Sequence, residues 1–214
     1  MNQEISTPHD KLFKQLLGES ENAASFLANN LPAEIVCHLD LNTLQVVQVS
    51  FIDTQFVQSE ADLLFSVSIA NRPGYVYFLF EHQSSPDGFM MLRLLGYAVR
   101  ALKRFQRENP GCDRLPVVIP LVLFHGPKGW QGPVTFRSLV DFPDESFLPY
   151  IPDSQCMLYD LSPFGKDQLA GNAIVRILWD LLSALGRTDL SARTEAEEKI
   201  ETKAVGITGP NVKT

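Results

Sequence analysis

Cysteine is scarce in this sequence, and the three cysteines, Cys37, Cys112 and Cys156, lie far apart with no CxxC spacing. This pattern argues against a disulfide framework or a zinc site and is typical of a protein of the reducing cytosol. Long apolar runs are also absent, since the longest, VVIPLVLF, is too short to span a bilayer. The polar N-terminus MNQEISTPHD lacks the pattern of a signal peptide. We therefore expect a cytoplasmic protein with no membrane partner.

The motifs GxxxxGK[ST], GxGxxG and GxSxG do not occur, which leaves nucleotide binding and serine-hydrolase chemistry without support. A net charge of −7 excludes a wholly basic nucleic-acid coat, although a local basic stripe could still bind phosphate. The 214 residues are 45% hydrophobic, enough for one sizeable core. Large apolar residues become few after Gly186. The sequence thus predicts one domain over 1–186 and a disordered tail over 187–214.

Hydrophobic periodicity and turn signals predict an α/β domain with a mixed central sheet of about four or five strands, flanked by helices. Helices are predicted from Pro8 to Gly18, Ser20 to Asn30, Asp87 to Glu108 and Lys166 to Leu185. Strands are predicted over Leu44 to Ile52 and over the segments ADLLFSVSIA, YVYFLFEHQ, LPVVIPLVLF and CMLYDL. LPVVIPLVLF is continuously apolar, as expected for a strand in a sheet covered on both faces.

Two of these strands flank the turn signal NRPG and carry carboxylates near their outer ends. A turn over Asn71 to Gly74 places Asp62 opposite Gln83. Glu81 is then a diagonal neighbour on the same face, because strand side chains alternate. Two carboxylates on adjacent strands suit a hard cation such as Mg²⁺, which polarises a phosphodiester and activates water. The alternative, two solvated carboxylates at strand ends, stays open.

The helix predicted after this hairpin has an arginine-rich face. At 100° per residue, four side chains lie within about 40° of Arg93: Tyr97, Arg100, Arg104 and Arg107. Apolar residues occupy the opposite side. Because arginine binds phosphate bidentately, this face is predicted to contact DNA. An ordinary solvated face is the alternative.

Five further positions are ambiguous. His9 and Asp10, with Lys14 on the same predicted helix, are candidate accessory residues, although Asp10 could simply complete a helix cap. His125 and Asp160 each follow or end a predicted strand and could face a cleft or begin a loop.

An acidic residue that opens one strand, a Glu-x-Gln that ends the next and a following helix resemble the core of the PD-(D/E)XK nucleases. More closely, the chain resembles the recombination-promoting nucleases, also known as YhgA-like transposases. The resemblance covers roughly residues 6–185 and rests on five segments in order: TPHDKLFKQLL, SEADLLFSV, FLFEHQSSPD, MLRLLGYAVRAL and PVVIPLVLFHGPKGW.

The resemblance implies a restriction-endonuclease-like fold and a Mg²⁺-dependent DNA endonuclease linked to DNA recombination, with Mn²⁺ or Ca²⁺ as alternative cations. It also implies catalytic roles for Asp62, Glu81 and Gln83, the first two as metal ligands. Gln83 stands where many members of the superfamily have lysine, so it could orient water but would supply no charge. Slower chemistry, or dependence on a second cation, would follow.

Members of this family usually continue well past the last predicted helix, whereas this chain ends at residue 214. That difference points to a truncated or frameshifted product with altered activity or assembly. Two other functions stay open: a non-catalytic nucleic-acid-binding or assembly remnant of a mobile-element protein, and a protein-interaction module. DNA is the expected partner, and a homo-oligomer is also left open.

Overall fold

A computed structural model describes residues 8–47, 62–81, 87–125, 128–162, 170–172 and 175. These residues form helices α1 (Pro8–Leu17), α2 (Ser20–Asn30), α3 (Ala33–Val36) and α4 (Met90–Glu108). The strands are β1 (Leu39–Val46), β2 (Leu63–Ile69), β3 (Arg72–Glu81), β4 (Val117–Phe124) and β5 (Met157–Asp160). Two short 3-10 helices, Phe136–Leu139 and Glu145–Tyr150, lie between β4 and β5.

The five strands form one mixed sheet in the order β1-β2-β3-β4-β5. The β1–β2 and β2–β3 pairs are antiparallel, whereas the β3–β4 and β4–β5 pairs are parallel. Parallel pairing requires a crossover, which α4 provides between β3 and β4. The predicted α/β class with a mixed sheet flanked by helices is confirmed, and the arrangement is consistent with a restriction-endonuclease-like fold.

The first two helices begin and end where the sequence predicts. Phe13 and Leu17 of α1 are fully buried. A Cβ added at Gly18 would lie 2.2 Å from the carbonyl oxygen of Lys14, so the close approach of the helix end favours glycine there. α2 ends two residues before Pro32, which cannot continue a helix.

Apolar side chains cover both faces of the sheet. On one face, Phe26 of α2 packs edge-to-face against Phe78, with ring centres 5.5 Å apart. On the other face, α4 packs Leu94 and Phe105 into a second cluster. β4 departs from the predicted continuous burial, because Val117 is 59% exposed and full burial begins only at residue 121. The reason is that β5 pairs with β4 only from Leu121 onward.

The β2–β3 hairpin turns earlier than the sequence predicts. Its turn residues are Ala70 and Asn71, both with positive φ, 48° and 61°, as in the type I′ turns of two-residue hairpins. Ile69 pairs with Arg72, so the predicted turn over Asn71 to Gly74 and its register are wrong by four residues. Gly74 belongs to the strand, where a Cβ would lie 2.3 Å from the Cδ1 atom of Ile69.

Two other element bounds also differ from prediction. β1 begins at Leu39, five residues before the predicted start at Leu44, because a backbone irregularity between Asp40 and Gln45 lets it pair with β2 over this earlier segment. The predicted strand residues 48–52 lie outside the described residues. α4 begins at Met90, three residues after the predicted start. The predicted helix over 166–185, apart from the positions 170–172 and 175, and the predicted tail over 187–214 lie outside the described residues.

Candidate metal and nucleic-acid site

Asp62 lies immediately before β2 and is only 3% exposed. A carboxylate loses favourable hydration when it is buried, so burial requires compensating interactions. Asp62 is therefore not the solvated strand end that the sequence left open as an alternative. Its charge raises the pKa of two tyrosines, one on the sheet and one on α4, and the charges of Arg93 and Arg100 act on the tyrosine of α4.

The two tyrosines beside Asp62 are Tyr77 of β3 and Tyr97 of α4. Their rings stack with centres 4.9 Å apart and planes inclined by 24°. Burial raises the pKa of Tyr77 far above its usual range, and the charge of the Asp62 carboxylate raises it further. The pKa of Tyr97 is raised by the same two causes in the same order. Both phenols therefore stay protonated beside Asp62 at neutral pH.

The Tyr77 hydroxyl is buried and has no hydrogen-bond partner of standard geometry among the described residues. The Asp62 carboxylate raises the pKa of Tyr77 mainly through its charge and, to a smaller extent, through hydrogen bonding. Buried hydroxyls usually have a partner, supplied by protein, water or ligand. This hydroxyl thus has unused hydrogen-bonding capacity next to a buried carboxylate.

Arg93 and Arg100 bring positive charge to the same place. Each of them lowers the pKa of Tyr97, opposing the effect of Asp62. The Arg100 guanidinium lies over the Tyr97 ring, 4.3 Å from its centre, in a cation–π contact. Arg93 forms an ion pair with Asp87, with 3.3 Å between Nη1 and Oδ2. The structure thus brings predicted DNA-binding arginines together with a predicted metal ligand.

The predicted arginine stripe on α4 is less solvated than the sequence indicates. Tyr97 is only 7% exposed and belongs to the core, so its expected place on a solvent-facing stripe is wrong. Arg104 pairs with Glu108 at 2.7 Å, whereas Arg107 is exposed. The buried face of α4 is thus rotated towards Tyr97 relative to the prediction, and Leu92 and Val99 are 53% and 41% exposed.

Glu81 is the last residue of β3 and pairs with Phe124 of β4. Its side chain, like the whole of Gln83, lies outside the described residues. The observed register pairs Leu63 with Phe78, so the ladder extended by one residue would place Asp62 opposite Leu79. The observed register differs from the predicted one by four residues. Because side chains alternate with a period of two, an even shift keeps positions 62 and 81 on the same face of the sheet.

Among the candidate accessory residues, the structure describes the side chain of Lys14 only. The side chains of His9 and Asp10 lie outside the described residues. Lys14 is exposed on α1, a helix whose buried residues belong to the cluster on the opposite face of the sheet from α4.

His125 and Asp160 lie where the parallel strands β4 and β5 end. His125 is 1% exposed. The two carboxylate oxygens of Asp160 accept hydrogen bonds from the backbone N–H groups of Trp130, at 2.8 Å, and Ser162, at 2.9 Å. Asp160 therefore fastens the loop after β4 to the end of β5, which favours the structural alternative for this residue.

Sequence reasoning missed Tyr77 and Asp87. Tyr77 lies in the apolar strand segment YVYFLFEHQ, and its even spacing from Glu81 places it on the same strand face. For Asp87, the sequence predicts only the start of a helix. Its Oδ1 atom does accept the N–H of Phe89, at 2.8 Å, but its other oxygen holds Arg93.

The described residues contain no group of three or more His, Cys, Asp or Glu side chains arranged to hold a metal ion. They do include one buried carboxylate, Asp62, beside a hydroxyl with unused capacity. Those donors suit a hydrated oxygen-preferring cation in chemical type. Within the part of the chain described, no helix is both long and apolar enough to cross a membrane.

Fold and site together define an α/β protein with a buried carboxylate and flanking arginines between its mixed sheet and a crossover helix. Residues 7–203 match the family described as "Putative transposase, YhgA-like". The chain belongs to that family. The match extends past residue 185, where the five segments that carry the resemblance in the sequence have already ended.

Three curated relatives come from Escherichia coli strain K12. The chain is 33% identical over 190 residues to the recombination-promoting nuclease RpnA and 38% identical over 190 residues to the recombination-promoting nuclease RpnC. Both alignments cover 89% of this chain, and they cover 64% and 62% of the relatives. The chain thus spans less than two thirds of the length of these relatives.

A third relative carries a different description. It is the inactive recombination-promoting nuclease-like protein RpnE, 32% identical over 173 residues, or 81% of this chain and 57% of that protein. Membership of the family therefore leaves open whether this chain is a catalyst. No solved structure matches the chain.

Proposed function

We propose that this protein is a metal-dependent DNA endonuclease that hydrolyses phosphodiester bonds and acts in DNA recombination. The observation that carries the proposal is the burial of Asp62 beside Tyr97, a tyrosine on which the charges of Arg93 and Arg100 also act. Phosphodiester hydrolysis needs a carboxylate that holds a divalent metal ion. It also needs positively charged side chains nearby that bind the phosphate. The names of the relatives RpnA and RpnC support the same function.

The proposed roles follow from the positions of the residues. Asp62 and Glu81 hold Mg²⁺, or Mn²⁺ or Ca²⁺, since strand alternation assigns position 81 to the strand face of Tyr77, the residue next to Asp62. The bound cation supplies Lewis-acid polarisation of the phosphate and a lowered pKa for the attacking water. Arg93 and Arg100 bind phosphate oxygens. Gln83 orients water through its amide group.

The test is nicking of supercoiled plasmid by the purified chain in Mg²⁺, Mn²⁺ or Ca²⁺, with EDTA as the metal-free condition. We expect cleavage in at least one cation, loss of cleavage in EDTA, and loss of cleavage in both Asp62→Ala and Glu81→Ala. Asp113→Ala, which removes an exposed carboxylate of the loop before β4, is the matched control. Cleavage by Asp62→Ala at the parental rate would contradict the proposal.

A second function is favoured by one observation, the description of RpnE as inactive. The chain would then bind nucleic acid without cutting it. This alternative predicts DNA binding that weakens with salt and no nicking in any of the three cations. A chain that does not bind DNA even at low salt would instead be a protein-interaction module.

A further inference from the structure

The stacked tyrosines beside Asp62 have no role in the function proposed above. A structural explanation accounts for their rings, which fill the space between β3 and α4. It does not account for the Tyr77 hydroxyl, which is buried and lacks a partner of standard geometry among the described residues. A phenylalanine would fill the same space without the cost of an unsatisfied buried hydroxyl.

The neighbouring side chains restrict the orientation of the Tyr77 ring and therefore of its hydroxyl. The Tyr77 ring is held by the parallel ring of Tyr97, and the Tyr97 ring is itself covered by the Arg100 guanidinium. Tyr77 also belongs to a central strand, paired with Leu64 on one side and Pro120 on the other. Its ring therefore has little freedom to turn, and Asp62 is the carboxylate whose charge it senses most strongly.

A hydrated cation would satisfy the hydroxyl. Mg²⁺ keeps several of its waters when it binds protein carboxylates. A phenol can both donate to a carboxylate and accept from a water molecule. Groups that hydrogen-bond to metal ligands orient those ligands, and their loss typically weakens metal binding about 10–100-fold.

We propose that Tyr77 and Tyr97 are positioning residues for Asp62, and that the Tyr77 hydroxyl holds a water of the divalent cation bound there. The inference rests on the proposed function, because it takes Asp62 as a metal ligand. The two phenols then link Asp62 to Arg100 through side-chain contacts. The arginine that would bind phosphate and the residue that would bind metal are thus positioned by the same pair of tyrosines.

The experiment measures the Mg²⁺ concentration that gives half of the metal-induced rise in melting temperature. Tyr77→Phe and Tyr97→Phe each remove one hydroxyl and keep the ring stack. We expect each substitution to raise the half-saturating concentration about tenfold or more. The metal-free melting temperature of Tyr77→Phe should change little, because the substitution keeps the ring stack with Tyr97.

Tyr75→Phe is the matched control. Tyr75 lies two residues earlier in β3 and is 8% exposed, and its ring packs against Phe105 with centres 6.5 Å apart. Its pKa is raised by burial and then by Glu108, so its hydroxyl senses a different carboxylate. We expect no change in the Mg²⁺ requirement of this variant.

The outcomes distinguish failure of the positioning role of the tyrosines from failure of the metal site at Asp62. Half-saturating concentrations for Tyr77→Phe and Tyr97→Phe within twofold of Tyr75→Phe would overturn the positioning role. If Asp62→Asn responds to Mg²⁺ like the parent, the metal site itself is wrong and the proposed function fails first. A loss of response in Asp62→Asn together with raised concentrations in both tyrosine variants would support both proposals.

Discussion

The guanidinium of Arg100 lies 4.3 Å from the centre of the Tyr97 ring, so an arginine predicted to contact DNA is held in place by a core side chain. An arginine that is already oriented loses less side-chain entropy when it binds phosphate. Arg107, on the same helix, is exposed. The two arginines should therefore contribute differently to function.

We expect Arg100→Ala to lower the cleavage rate at saturating DNA about tenfold or more, because it removes a preorganised charge beside the reacting phosphate. Arg107→Ala should leave that rate unchanged and only reduce the slope of log binding constant against log salt, by at most about one. Plasmid nicking and salt-dependent binding assays measure the two effects. Equal cleavage rates for the two variants would show that Arg100 contributes no more to cleavage than Arg107 does.

Asp62→Asn should preserve or raise the melting temperature in the absence of metal. Asn keeps the size of the side chain but removes a buried charge, whose desolvation costs free energy. Thermal unfolding in EDTA tests this expectation, with Asp113→Asn as the exposed control. A large fall in melting temperature for Asp62→Asn alone would mean that Asp62 is structural, with its charge needed by its neighbours.

The burial of Tyr77 predicts a dependence of stability on alkaline pH. Because burial and then Asp62 raise its pKa above 10.0, the folded protein keeps this proton while the unfolded chain loses it. The free energy of unfolding should therefore fall as pH rises above about 10, by about 1.4 kcal/mol per pH unit for this tyrosine. Urea unfolding at pH 9, 10 and 11 should show a shallower decline for Tyr77→Phe. Parallel declines would contradict the assignment.

Two glycine exchanges should stabilise the fold for different reasons. Ala70 has a φ of 48°, a left-handed conformation that costs an L-residue about 1–2 kcal/mol, so Ala70→Gly should recover much of that strain.

Gly96 lies inside α4, where an added Cβ would meet nothing within 4 Å. Gly96→Ala should stabilise by about 1 kcal/mol through helix propensity. Urea unfolding measures both, and a loss of stability in Ala70→Gly would contradict the turn geometry.

Much of the fold could be predicted because periodicity reports which faces are buried. The C-terminal ends of α1 and α2 follow from Gly18 and Pro32, which are local signals. The hairpin register could not be predicted, because NRPG resembles a turn while the true turn contains Ala70. Gly74 is needed for packing against Ile69, a contact between strands that local sequence does not reveal.

For the candidate site, the sequence indicated Asp62 and the arginines of α4 but not how they are connected. Helical spacing grouped Tyr97 with the arginines, and angle alone could not show that it is buried. Its burial depends on a partner, Tyr77, in another element. Residues that act through neighbours are harder to find from sequence than residues that act directly, since no spacing rule connects them.

The mixed sheet has a consequence for the order in which the site is assembled during folding. Asp62 and Tyr77 meet through a hairpin closed by two residues, a short-range contact that can form early. Tyr97 and Arg100 arrive only when α4 docks and lets β4 pair in parallel with β3, which closes a much longer loop. We expect a nascent chain to stay chemically idle until this late docking step. Folding kinetics of Leu94→Ala, which should accelerate unfolding more than it slows folding, would check the order.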